Sequence, residues 1–270
     1  MNNTFSAKRF GMYFLHDLRR LWANAGLSLL ILGLIPVIVW FVTGVYTVLT
    51  VKEWMLPPVE ARAICVSLAA FVTVLIIPAR TYGFITDKRA GSEWLMIPAS
   101  RLEKFVSMIL VTIVVVPAVF TGLSFISDWL LSLTSDKYGM ALASFNLNDA
   151  LDVSSDELHI AGNGFWFVYM GVSVSLLTML LGALFFKKQK VAKTILALLG
   201  ISFVFSVIGI PVIVNDLVDF ESLFDSLGKV LEARPDRMEF WLNFFIDMSY
   251  ALQVGILGVL IWFRLKTIKH

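Results

Sequence analysis

Between Arg20 and Lys52 the chain runs for 31 residues without an aspartate, glutamate, lysine or arginine. No water-soluble helix or strand of that length can be apolar on every side, so this run constrains the fold more than any other feature. It is not alone. Charge-free runs also cover 63–79, 105–127, 158–186, 194–215 and 248–263. The last of these is extended outward by Phe240–Ile246, with only Asp247 intervening. A helix needs about 20 apolar residues, with a range of about 17–25, to cross the hydrocarbon layer. The pattern therefore predicts six membrane-spanning helices, at about 27–49, 63–79, 105–127, 165–186, 194–214 and 243–263. A membrane barrel is excluded because its strands alternate with period two. Stretches such as Leu29-Leu30-Ile31-Leu32 do not alternate. The expected fold is an all-α integral membrane protein forming one six-helix domain over residues 1–270.

Charge supplies the orientation. Segments 1–26, 80–104, 187–193 and 264–270 hold 16 of the 22 lysines and arginines, while 15 of the 20 acidic residues lie in 50–62, 128–164 and 215–242. Basic residues in excess mark cytoplasmic loops. The excess alternates at every predicted crossing, which places both termini inside. A cleaved signal peptide has an apolar core of about 7–15 residues, and the first run here is far longer. Residues 5–25 predict an amphipathic helix lying in the headgroup layer. Its apolar arc is Phe10, Phe14, Leu18, Leu21 and Trp22, and Asp17 intrudes on that arc. The outer segments 128–164 and 215–242 are acidic. The second predicts a short helix with the stripe Leu217, Phe220, Phe224, Leu227 and Leu231. Pro117 predicts a kink in the third crossing, because proline lacks a backbone donor.

Catalytic patterns are missing from the sequence. There is no G-x-x-x-x-G-K-[ST] phosphate loop, no H-E-x-x-H and no G-x-S-x-G. Cys65 is the single cysteine, and His16, His159 and His270 are scattered. The expectation is a chain that is not an enzyme, carries no cofactor or metal, and binds lipid rather than nucleic acid. Asp247 is the one ionisable residue inside a predicted crossing, about one turn from its outer boundary; such groups are the usual functional suspects in a membrane, and the other reading is an interfacial carboxylate still in contact with water. Gly171, Ser175, Thr178 and Gly182 recur at three- and four-residue steps. They predict a face for close helix packing or dimerisation, and Ala251, Gly255 and Gly258 predict another.

The segment Arg80–Lys104 is longer than a loop that only turns the chain needs to be. Trp94-Leu95-Met96-Ile97 is apolar, Pro98-Ala99 breaks the chain, and Ser100 with Glu103 has capping-box spacing. Two placements remain open for Trp94 and its neighbours: docking onto a cytoplasmic partner, or resting on the membrane surface.

The run Leu95-Met96-Ile97-Pro98-Ala99-Ser100-Arg101-Leu102-Glu103 resembles the form L-x-x-P-x-S-R-x-E. That form recurs between the second and third spans in the permease subunits of ABC-2 type ATP-binding-cassette transporters. Six spans, cytoplasmic termini, a leading amphipathic helix and a hydrophobic segment between spans five and six resemble that family in layout. The outer segment 128–164 is longer than the family's usual turn. The resemblance implies a permease, and an exporter, in a bacterial inner membrane. It implies a homodimer or a heterodimer with a second permease, driven by separate cytoplasmic ATPase subunits. Asp87, Lys88, Arg89, Glu93, Trp94, Pro98, Ser100, Arg101 and Glu103 would form the ATPase-coupling loop. A non-transporting protein of the same layout, such as an immunity factor or assembly scaffold, is the other reading.

Overall fold

The structure, a computed structural model, describes residues 5–134, 164–207 and 235–267. Every regular element among them is helical. A run that is apolar on all sides must satisfy its own backbone donors and acceptors, and a helix does so within one segment.

Helix α1 (Ala7–Leu21) passes through a π-turn at Trp22–Gly26 into α2 (Leu27–Gly33) without a break. The chain then bends by 48° at Leu34 and continues as α3 (Ile35–Val51). This corrects the expectation of a separate helix over 5–25 followed by an uninterrupted crossing over 27–49. Pro36 is the physical reason. It offers no N–H to the preceding turn, and the residue that leaves helical geometry is Leu34, at φ −89° and ψ 11°. The bend is held from outside. A Cβ on Gly33 would come within 2.6 Å of the Leu123 Cβ, and the Ser127 hydroxyl, which is 2.9 Å from the Ser124 carbonyl of its own helix, also lies 3.3 Å from the Gly33 carbonyl.

Helix α4 (Val59–Tyr82) leads through a 3-10 turn, Gly83–Thr86, into α5 (Lys88–Met96). Helix α6 (Arg101–Leu110) and α7 (Val116–Ser132) are joined by a second π-turn, Val111–Val115. That turn is where the expected effect of Pro117 is expressed. A proline leaves the carbonyl four residues earlier without its usual donor. Here that group is the Ile113 carbonyl, and the Tyr169 hydroxyl donates to it at 3.1 Å. Tyr169 belongs to α8 (Gly164–Phe185), which is followed by α9 (Lys190–Val207) and α10 (Pro235–Thr267).

The core lies where α8 packs against α4 and α10. Leu176, Leu177, Leu180 and Leu184 of α8 are buried with Ile77 of α4 and Ile261 and Leu265 of α10. Elsewhere large apolar side chains face outward, with Leu49 79% and Phe205 73% exposed. Four helical runs, Ala61–Thr86, Arg101–Ser132, Lys190–Val207 and Phe244–Thr267, are long and apolar enough to cross a membrane. The bent pair Ala7–Gly33 and Ile35–Val51 makes a fifth if it counts as one. In α8 the apolar stretch Tyr169–Phe185 is shorter. The expected helix at 217–231 lies outside the described residues, as does most of the outer segment 128–164.

Two polar levels bracket this apolar middle. At one, the Asp17 carboxylate accepts from the Tyr82 and Ser107 hydroxyls, both at 2.8 Å. At the other, Arg62 pairs with Asp128 at 3.4 Å. Tyr82 and Arg62 share α4, and Ser107 and Asp128 share the continuous α6–α7 run. At about 1.5 Å of rise per residue, either path separates the levels by roughly 30 Å. That is about the thickness of a bilayer's hydrocarbon core.

Tyr169→Phe is expected to lower stability by about 1–2 kcal/mol, because it strips the donor from a buried carbonyl. In a Pro117→Ala background the alanine N–H can reach Ile113, and most of that cost should vanish. Unfolding of the four variants in detergent measures the coupling. Equal costs in both backgrounds would remove Tyr169 from this role.

Candidate functional site

Ser100 and Glu103 form the predicted capping box at the start of α6. The Glu103 amide donates to Ser100 Oγ at 3.1 Å, and the Ser100 amide donates to Glu103 Oε2 at 2.8 Å. The other oxygen, Oε1, accepts from the Ser6 amide at 2.8 Å and from the Arg9 guanidinium at 2.9 Å. The Glu103 side chain is fully buried. A carboxylate at a helix N-terminus is favoured by the helix dipole, and this one also anchors the start of α1.

Lys104 turns the opposite way. Its ammonium donates to the Trp94 carbonyl at 2.7 Å and the Leu95 carbonyl at 3.4 Å, and lies 4.7 Å from the Trp94 ring centre. These carbonyls end α5, where helices leave acceptors unpaired and a cation is favoured. The Trp94 ring is 4% exposed, and its Nε1–H donates to the Tyr13 hydroxyl at 3.0 Å. One turn further along α1, Asp17 takes its two hydrogen bonds from α4 and α6. Burial pushes the Asp17 carboxyl above the usual range, and the Ser107 and Tyr82 hydrogen bonds offset part of that rise. Helix α1 is thereby stitched to α4, α5 and α6, and its residues Tyr13, Asp17 and Leu21 are buried. The intrusion of Asp17 on the apolar arc was the signal for this, because part of the arc, Phe14, Leu18 and Leu21, packs on protein. Phe14 and Leu18 lie against the core, whereas Met12, Leu15 and Trp22 are exposed.

The other basic segments join the same end. Lys190, in the first turn of α9, donates to the Gly83 carbonyl and lies 3.3 Å from the Asp87 carboxylate. The Arg20 guanidinium sits 3.9 Å from the Phe84 ring centre. Arg264 near the end of α10 donates to the Leu184 carbonyl at 3.1 Å and covers the Phe185 ring. Contacts thus join three of the segments rich in lysine and arginine, and Arg264 of the fourth reaches the end of α8 just ahead of Lys187.

The structure divides the predicted loop residues into two sets. Trp94, Ser100 and Glu103 hold the segment in place from within. Asp87, Arg89, Glu93, Pro98 and Arg101 face outward, together with Met96, 79% exposed, and Leu102, 44% exposed. The side chain of Lys88 lies outside the described residues. Trp94 follows neither placement expected for it, since it points into the α1 interface. The result is a short helix, fixed on its inner side, that presents a mixed charged and apolar outer face.

The predicted packing stripe of α8 is not its buried face. Ser173, Leu176, Leu177, Leu180, Ala183 and Leu184 are buried, whereas Ser175 is exposed and Thr178 half-buried. The Ser175 and Thr178 hydroxyls bond to carbonyls of their own helix, at Gly171 and Val174. At Gly171 an added Cβ would meet only the Tyr250 hydroxyl, at 4.0 Å. Gly182 alone is closely approached, because a Cβ there would collide with Thr194 of α9. Gly255 and Gly258 meet nothing within 4 Å. Asp247 is exposed on α10. The Arg62–Asp128 pair had no such signal, since both residues read as ordinary charges of outer segments.

Among the described residues no three of His, Cys, Asp and Glu converge as a metal site. The arrangement presents a surface and a mechanical linkage. No family model matches the chain, and neither a curated protein nor a solved structure matches it.

Asp17→Ala is expected to lower the thermal midpoint in detergent, since it leaves two buried hydroxyls without an acceptor, at about 1–3 kcal/mol. Asp17→Asn keeps the acceptor and should stay near wild type. A carboxyl raised in the folded state contributes stability that is present below its unfolded value and is lost as pH rises through the folded one. The midpoint of Asp17→Asn should therefore gain on wild type as pH rises above the ordinary carboxylate range. A variant that falls as far as Asp17→Ala would show that the charge itself is required.

Proposed function

We propose that the chain is the membrane-spanning permease subunit of an ABC-2 type exporter, driven by a separate cytoplasmic ATPase chain. The observation that carries this reading is α5. It is held from behind by Trp94 and Lys104, and it presents Arg89, Glu93 and Met96 outward, beside the exposed Arg101 and Leu102 at the start of α6. A loop that only turned the chain would need neither the buried tryptophan nor the lysine cap.

On this reading the bent pair counts as one crossing and α8, 22 residues long, as another, making six. The level of Asp17, Tyr82 and Ser107 is the cytoplasmic side, and the level of Arg62 and Asp128 is the outer side. Both termini lie inside a bacterial cytoplasmic membrane. The exposed apolar faces of α9 and α10 meet lipid or a second permease subunit. ATP-driven closure of the partner pushes on α5. Trp94 passes the displacement to α1 through Tyr13, and Lys190 passes it to α8 and α9 through Gly83 and Asp87. The substrate moves along a path lined by the crossings, and the ATP chemistry stays on the partner chain.

Purification of the tagged chain from its native membrane tests the proposal. The wild type should bring down from detergent an ATPase chain that carries a phosphate loop. Reversing the exposed charges together, by Arg89→Glu, Glu93→Arg and Arg101→Glu, should weaken the association about tenfold or more while leaving the thermal midpoint unchanged. The reading fails if no ATPase chain is recovered with the wild type, or if the triple variant binds as the wild type does. Glu103→Gln serves as the contrast. It should destabilise the fold, since that carboxylate is buried and charge-paired.

A further inference from the structure

The Arg62–Asp128 pair joins the first turn of α4 to the last turn of α7, with the two side chains only 1% and 3% exposed. Neither charge suits its own helix. A cation is disfavoured near a helix N-terminus, and an anion is disfavoured near a C-terminus. Taking both out of water is costly as well, and an apolar pair of the same volume commonly holds two helices at least as firmly. A chain that needed only to fasten α4 to α7 would gain nothing from this choice. The two helices have their main packing elsewhere, α4 on α8 and α7 on α2. Both also pack on α2 and α3 while touching each other little, so the pair ties directly two helices that are otherwise joined mainly through their neighbours. Beside it, Ser127 reaches the bend of the α2–α3 helix at Gly33. An ion pair differs from apolar contact in one useful respect. Once the helix ends part, water solvates both charges, so the open state is stabilised as soon as it forms.

We infer that Arg62 and Asp128 form a latch, holding the outer ends of α4 and α7 together in the closed state and releasing them to a water-exposed open one. The latch requires that α4 and α7 cross a membrane, but it does not require an ATPase or a transported substrate. Its failure would leave the permease reading standing, and the reverse also holds.

Cys65, the single cysteine of the chain, reports on the latch directly. It lies on α4 three residues, or about one turn, beyond Arg62 and is partly covered. The labelling rate of Cys65 by a membrane-impermeant maleimide, applied outside intact cells, follows the population of the open state. Arg62→Ala and Asp128→Ala should each raise that rate about tenfold or more, because each removes one charge of a buried pair. The exchanged pair, Arg62→Asp with Asp128→Arg, should bring the rate back toward wild type. Wild-type labelling in both single variants would overturn the latch, as would an exchanged pair that labels as fast as the singles. If the alanine variants do not reach the membrane, Arg62→Lys carries the same test. It keeps the charge with fewer donors and a shorter reach, so it should label a few-fold faster than wild type. A rate equal to wild type would again overturn the latch.

Discussion

Glu103 is the interaction on which the charged end of the bundle depends. One buried carboxylate closes the first turn of α6, receives the Ser6 amide, and pairs with Arg9. Both oxygens are committed, and no water is needed to complete the set. This fixes where α1 begins relative to α6, and the rest follows from helical geometry. Tyr13 then falls opposite Trp94, and Asp17 falls opposite Ser107 and Tyr82. Helix α5 has only nine residues, too short to be stable alone in water. It persists because Trp94 is buried on one side and Lys104 caps its last carbonyls.

The middle of the chain follows a different logic. Between the two polar levels there is little for side chains to hydrogen-bond, so hydroxyls return to their own helix, as at Thr73, Thr81, Ser173 and Thr178. Where Pro117 removes a helical donor, a neighbouring helix supplies one: Tyr169 donates to the Ile113 carbonyl at the π-turn. Such outside donors are what an apolar medium demands, since an unsatisfied backbone carbonyl there costs several kcal/mol. A π-turn ahead of Pro117 is a gentler solution than a broken helix. It leaves α6 and α7 one continuous run from the capping box to Asp128.

Long apolar runs made the helices legible in the sequence, and Ser100 with Glu103 made the cap legible, because both are local patterns. The continuity of α1 with α2 was not, since nothing in Trp22–Gly26 forbids a chain break there. The break moved instead to Leu34, for which Pro36 was the visible cause. Asp17 was seen as an imperfection in an amphipathic arc. It was in fact the sign that part of the arc faces protein, and reading that required knowing that Tyr82 and Ser107 lie at the same level. The stripe Gly171, Ser175, Thr178 and Gly182 does not mark the buried side of α8 within the chain. Small residues permit close approach, but the leucines of α8 decide which side is buried. Arg62 and Asp128 are 66 positions apart, and pairing them takes the antiparallel register of α4 and α7.

The account stands on the two polar levels being the two faces of a membrane, with α5 on the cytoplasmic one. Single cysteines placed at Glu93 and at Lys52 in a Cys65→Ser background test this most directly, using an impermeant maleimide on intact cells and on inside-out vesicles. The account predicts that Glu93→Cys labels only in the vesicles and Lys52→Cys only on the cells. Labelling of both from the same side, or of Glu93→Cys from outside, would contradict it.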